Sequence, residues 1–121
     1  MNQHMTLHII ARIYGEKKCF GPGVAQLLQA VEEVHSLRAA AKTMNMAYSK
    51  AWTIVKTAEE GFGCKLLDVS IGGPAGGGAV LTEEAKQIMA AYTEYTRRLD
   101  EYGQQLYREL FPFFVGETEE E

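Results

Sequence analysis

The chain is poor in cysteine and proline and short of positive charge. Cys19 and Cys64 are its two cysteines and form no CxxC pair, so neither a disulfide framework nor a zinc knuckle is expected. No apolar run approaches the roughly 20 residues that a bilayer span requires. The opening MNQHMTLHII lacks a basic stretch followed by a long apolar one; no secretion signal is read, and a cytoplasmic location is expected. Basic residues number 12 against 16 acidic, a net charge of -4, which argues against a surface that attracts polyanions everywhere. Catalytic signatures are missing as well: HExxH, GxSxG and the P-loop do not occur. His4, His8 and His35 have no partner acid or nucleophile at a recognisable spacing, and His4 with His8 lacks a third metal ligand. No enzyme, metal site or cofactor is expected.

What is present is one domain's worth of ordinary globular sequence. The 121 residues are 46% apolar and 23% charged, enough to bury roughly two-thirds of the surface of the unfolded chain. The charge, however, is unevenly spread. Residues 1 to 35 cancel, whereas residues 36 to 65 carry Arg38, Lys42, Lys50, Lys56 and Lys65 for a local balance of +3. Residues 66 to 121 sum to -7 and end in GETEEE, which reads as a solvated tail. A single basic face in the middle of the chain is therefore expected.

From Thr6 to Tyr14 the apolar residues alternate, a strand period, and Gly15 to Lys17 supply a turn before Cys19 and Phe20. An N-terminal hairpin is expected over residues 1 to 21. Pro22 opens a helix in which Val24, Leu27, Leu28, Val31 and Val34 form one apolar face. Ser36 then caps a short Ala-rich helix from Leu37 to Met44, and Asn45 can take the left-handed conformation that stops it. A third helix is expected from about Ala47 to Glu60, stopped by Gly61 and Gly63; two helices so joined have the geometry of a helix-turn-helix. On its wheel Ala51, Val55, Ala58 and Phe62 pack, while Ser49, Thr53, Lys56 and Glu60 face out. Trp52 lies near the boundary and reads as a partly buried packing residue.

Leu66–Ile71 and Ala79–Thr82 read as two strands joined by GGPAGGG, a wing-like hairpin over the end of a 22–82 unit. Thr82 caps a long helix, with Glu83 and Glu84 in its first turn to suit the helix dipole. In this 83–110 helix, Ala85, Ile88, Tyr92, Tyr95, Leu99, Tyr102 and Leu106 alternate spacings of 3 and 4, a coiled-coil seam that predicts dimerisation. Gly103 and the three tyrosines sit awkwardly in such a seam. Residues 111 to 121 are the acidic tail.

These residues resemble a known family. Residues 36 to 68, SLRAAAKTMNMAYSKAWTIVKTAEEGFGCKLLD, are similar without a gap to the winged helix-turn-helix of LysR-type regulators, including the pair Ala40–Ala41 and the Glu59, Glu60 and Gly63 of an EExxG. More narrowly, YSKAW at Tyr48–Trp52 followed by GGPAGGGAVLT resembles the N-terminal DNA-binding domain of the molybdate-responsive ModE family. The resemblance covers roughly residues 20 to 110. It implies a single mainly α winged-helix domain over 1–121, with small β hairpins and a long C-terminal dimerisation helix, and without the molybdate-binding domains of full-length members. Pro74 stands where that family often carries a basic residue, and no Lys or Arg falls between residues 66 and 82.

The reading that follows is a sequence-specific DNA-binding transcriptional regulator acting as a homodimer on double-stranded DNA, related to the molybdate response. Tyr48, Ser49, Lys50 and Thr53 are the candidate base or phosphate contacts, with Ser36, Arg38 and Lys56 positioning the backbone. Gly76, Gly77 and Gly78 offer backbone N–H groups from the wing. The alternative is a protein–protein interaction module that pairs with a full-length regulator through the tyrosine-rich seam.

Overall fold

The computed structural model describes residues 5–70 and 78–114; His4, Gly76, Gly77 and the Pro74 loop of the wing lie outside them. The described residues form β1 (Ile13–Tyr14), β2 (Lys18–Phe20), α1 (Pro22–Val34), α2 (Leu37–Thr43), α3 (Tyr48–Phe62), β3 (Leu67–Ser70), β4 (Gly78–Leu81) and α4 (Glu83–Leu110). A single 3-10 turn, Pro112–Phe114, follows. This is the mainly α winged helix-turn-helix with two small antiparallel hairpins, β1–β2 and β3–β4, and a long last helix. The chain divides into two compact units, Ala11–Ala91 and Met1–Ile10 with Tyr92–Glu121. No helix among the described residues is long and apolar enough to cross a membrane.

The first unit contains the core. Pro22 starts α1, where its missing N–H costs nothing, and the 3.6-residue period buries Leu27, Leu28 and Val31. Each such side chain contributes about 1.5–3 kcal/mol on burial. Ala40 and Ala41 of α2 are buried with Ala51, Val55 and Ala58 of α3, so small side chains let the two helices meet closely. Leu66, Leu67, Ala79 and Leu81 of the wing hairpin, Ala85 of α4, Leu37 of α2, and Cys19 and Phe20 of β2 are buried with them. Thr82 caps α4 as expected: its hydroxyl accepts the Ala85 N–H at 3.1 Å and donates to the Lys65 carbonyl at 2.8 Å.

Two expectations change. The strand read from Thr6 to Tyr14 shrinks to Ile13–Tyr14, which pairs irregularly with Phe20 and Lys18. Residues to Ile10 instead belong to the second unit, where the Gln104 side-chain amide donates to the Leu7 carbonyl at 2.9 Å. A Cβ at Gly103 would run into Ile9 Cδ1, so this glycine makes room for the N-terminal segment. Alternating apolar residues suit an extended segment laid along a helix as well as they suit a ladder.

The second change concerns Gly61, which lies within α3 rather than ending it; Gly63, at φ 74°, is the stop. A Cβ at Gly61 would stand 2.7 Å from Cys19 Sγ, so glycine there lets β2 approach the helix.

In the second unit, α4 carries a mesh of exposed ion pairs. Glu94 meets Arg97 and Arg98 at 2.8 Å each, and Arg97 also reaches Glu101 at 3.2 Å. Hydrogen bonds from Arg97 first, and then Arg98, hold the Glu94 carboxyl down at about 2, from an ordinary 4.5. A depressed carboxylate supports the fold above its unfolded-state pKa and loses that support as pH falls through the folded value. Helix content followed by circular dichroism is therefore expected to show a small loss between pH 4.5 and about 2, absent in Glu94→Gln. Identical acid titrations of the two proteins would contradict this assignment.

Candidate nucleic-acid interface

The site begins at the turn between α2 and α3. Asn45 adopts φ 57°, its N–H donates to the Lys42 carbonyl at 3.0 Å, and the Met46 N–H donates to the Ala41 carbonyl at 2.9 Å. These paired bonds are a Schellman closure, which ends α2 sharply and aims the chain into α3. Ser36 opens α2 by accepting the Ala39 N–H at 3.0 Å, so its hydroxyl already has a structural task. The residue before α3 is Ala47, which has no side-chain oxygen to cap the first-turn amides.

With Ala51, Val55 and Ala58 buried, helical geometry forces Ser49, Lys50, Thr53 and Lys56 outward, and all four are exposed. The Thr53 hydroxyl donates to the Ser49 carbonyl at 3.1 Å, leaving its oxygen free to accept. Tyr48 and Trp52 are half-buried, one turn apart, with ring centroids 6.4 Å apart and edge to face. Arg38 lies over the Tyr48 ring at 4.0 Å, and the Lys56 ammonium over the Trp52 ring at 5.6 Å. The order Arg38, Tyr48, Trp52, Lys56 thus forms a row of cations and rings along one flank of α3. Stacking of this kind limits the freedom of Arg38 and Lys56 while leaving their charge toward solvent.

The fold therefore brings Arg38, Tyr48 and Lys56 together on one flank, with Ser49 and Thr53 on the adjoining ridge. Lys50 lies on the other flank. Gly78 starts β4, pairs with Ser70, and sits close under the His35 carbonyl, where a Cβ would meet oxygen at 3.3 Å. The next N–H, of Ala79, donates to that carbonyl at 2.9 Å, so the wing is tied to the end of α1. His35 takes the left-handed φ of 58° at this junction.

Glu59 enters the sequence reading only as part of the EExxG resemblance, with no role of its own. Glu59 is 9% exposed, and its Oε2 accepts N–H groups from Leu66 at 2.9 Å and Leu67 at 3.4 Å. Its other oxygen is 4.0 Å from the Lys56 ammonium. This buried carboxylate anchors the start of the wing to the end of α3. Its position four residues after Val55 on the packing stripe was the signal available. The exposed neighbour Glu60 masks that signal in composition.

On the seam of α4, Ala85 is fully buried within the chain's own core, and Ile88, Tyr92 and Leu99 are half-buried. Tyr95, Tyr102 and Leu106 remain exposed at 60%, 66% and 38%.

Comparison with known proteins places this geometry in a family. Residues 24–86 match the family model for the bacterial regulatory helix-turn-helix protein, lysR family. The chain is 36% identical over 66 residues to the molybdenum-pterin-binding protein MopB of Rhodobacter capsulatus, covering 54% of this chain and 24% of that protein. It is 33% identical over 72 residues to the molybdenum transport protein ModE of Herbaspirillum seropedicae, 60% of this chain and 27% of that one. Against ModE of Azotobacter vinelandii it is 33% identical over 85 residues, covering 67% and 32%. The chain thus spans 24% to 32% of the length of these curated relatives. The matched region, which holds the turn, α3 and the wing, is a helix-turn-helix of the kind that binds DNA in transcription regulation. With just over half of its residues inside that match, the chain belongs to the lysR family of bacterial regulatory helix-turn-helix proteins and carries a ModE-like helix-turn-helix domain.

Proposed function

We propose that the protein is a sequence-specific transcriptional regulator that binds duplex DNA as a homodimer, in a response related to molybdate. The observation that carries the reading is the exposed ridge of α3: Ser49 and Thr53 project from the helix between Lys50 on one flank and, on the other, Arg38 and Lys56, which rest on aromatic rings. Ser49 and Thr53 offer hydroxyls, and Tyr48 a phenol, to base edges or phosphates; Lys50, Arg38 and Lys56 neutralise phosphates. Lys56 divides its charge between that role and Glu59. The homodimer is supported by Tyr95, Tyr102 and Leu106, which leave one face of α4 apolar and exposed at spacings of 7 and 4. Two copies so joined would present their α3 helices to successive major grooves about 34 Å apart. The molybdate connection rests on relatives named for molybdenum transport and molybdenum-pterin binding.

Fluorescence anisotropy against a duplex selected from random sequence tests binding, and light scattering tests the dimer. The expected result is a dimer with sequence preference. A folded dimer without affinity at low salt would sink the DNA reading, and isolation only as a mixed assembly with a longer regulator would replace it by the interaction module. Lys50→Ala is expected to flatten the dependence of log affinity on log salt by about one unit if it meets one phosphate. An unchanged slope would remove Lys50 from that role.

A further inference from the structure

A cleft of about 350 Å³ lies along the flank of α3 away from Tyr48 and Arg38, and its charge is wholly positive: Arg12, Lys18 and Lys50 line it. Thr53 and Thr57 supply hydroxyls beside them, and Gly23 at the start of α1 forms part of the wall. Among the described residues no acidic side chain lines it. The ion pairs among the described residues involve other side chains, so none of these three cations has a described carboxylate within 4.0 Å. The Arg12 stem passes close over Gly21, where a Cβ would lie 3.3 Å from its Cγ.

We infer that this cleft is a second contact with the DNA backbone, taking a phosphate against Arg12, Lys18 and Lys50. The inference rests on the DNA-binding reading above and extends it to the N-terminal hairpin. Cations gathered without counter-charge repel one another, and a phosphodiester supplies the missing charge together with acceptors for their N–H groups. The geometry of a major groove accounts for two such sites. A helix lying in it has a sugar-phosphate wall on each side, so Arg38 and Lys56 meet one wall while the cleft meets the other. Sequence windowing assigns Arg12 and Lys18 to an electrically neutral segment, which is why the cleft is invisible before folding.

The test is a salt titration by anisotropy on a duplex of about 30 base pairs, long enough for two half-sites one helical turn apart. Native protein, Arg12→Gln/Lys18→Gln, Lys18→Gln alone and Lys86→Gln are compared, with circular dichroism confirming the fold. The double variant is expected to flatten the salt slope by about one to two units and to weaken matched and scrambled duplexes equally. Lys18→Gln alone, whose side chain packs on no glycine, gives a smaller change in the same direction, and Lys86→Gln none. If the double variant binds like the native protein while Lys50→Ala does not, the cleft proposal falls and the DNA reading stands. Absence of native binding at any salt overturns both. Inorganic phosphate followed by amide chemical shifts separates a free anion from the backbone: binding lost in the double variant, with its DNA slope unchanged, would assign the cleft to a free anion and overturn the DNA contact.

Discussion

Tyr95→Glu/Tyr102→Glu is expected to be a folded monomer whose DNA affinity is about 10²–10⁴-fold below that of the native protein. Both tyrosines are more than half exposed on α4, so the isolated chain tolerates the change within about 0.5 kcal/mol. In a paired seam the same glutamates would bring like charges together and strip water from them, which a modest apolar interface cannot offset. Affinity falls because a dimer's second half-site binds at high effective concentration, an advantage a monomer forfeits. Light scattering reads the mass, circular dichroism the fold and anisotropy the affinity. A variant that remains dimeric would place the interface elsewhere, and a monomer with native affinity would show that one copy suffices.

The second large effect is on stability. Glu59→Ala is expected to lower the unfolding free energy by about 2–4 kcal/mol, since a hydrogen bond to a charged group is worth roughly 1.5–3 kcal/mol and two buried amides lose their acceptor. One of the two bonds, at 3.4 Å, is long, which keeps the estimate from doubling. For a domain of this size the melting temperature would drop by about 8–16 °C. Glu59→Gln keeps an acceptor near Leu66 and should lose less than half as much. Hydrogen exchange offers the local readout: the Leu66 and Leu67 amides should lose protection in the alanine variant ahead of the α1 core. A Glu59→Ala protein as stable as the native one would overturn the anchoring role.

Much of this architecture was legible because it is locally encoded. Leu27, Leu28 and Val31 follow the helical period, and Ser36, Asn45, Gly63 and Thr82 each carry the side chain or the freedom that its boundary needs. The exposed ridge of α3 followed from the same wheel, because burying Ala51, Val55 and Ala58 leaves Ser49, Thr53 and Lys56 no other direction. The failures share a different cause. Thr6 to Ile10 alternate like a strand, but a segment's pairing partner is not written in its own period, and these residues lie with α4 instead. Gly61 and Gly103 read as a stop and a flaw when each is a space for a distant side chain, Cys19 and Ile9 respectively.

The helix-turn-helix, its caps and the outward row on α3 are encoded locally, since each depends on residues within a few positions of one another. The net positive charge of residues 36 to 65 is likewise a property of the chain before it folds. It takes the folded chain to bring Arg12 and Lys18, from a neutral stretch, to one cleft with Lys50, to set Glu59 against the wing, and to rest Arg38 and Lys56 on Tyr48 and Trp52. Charge along a chain is a sum over neighbours in sequence, whereas the field a phosphate meets is a sum over neighbours in space, and folding alone relates the two.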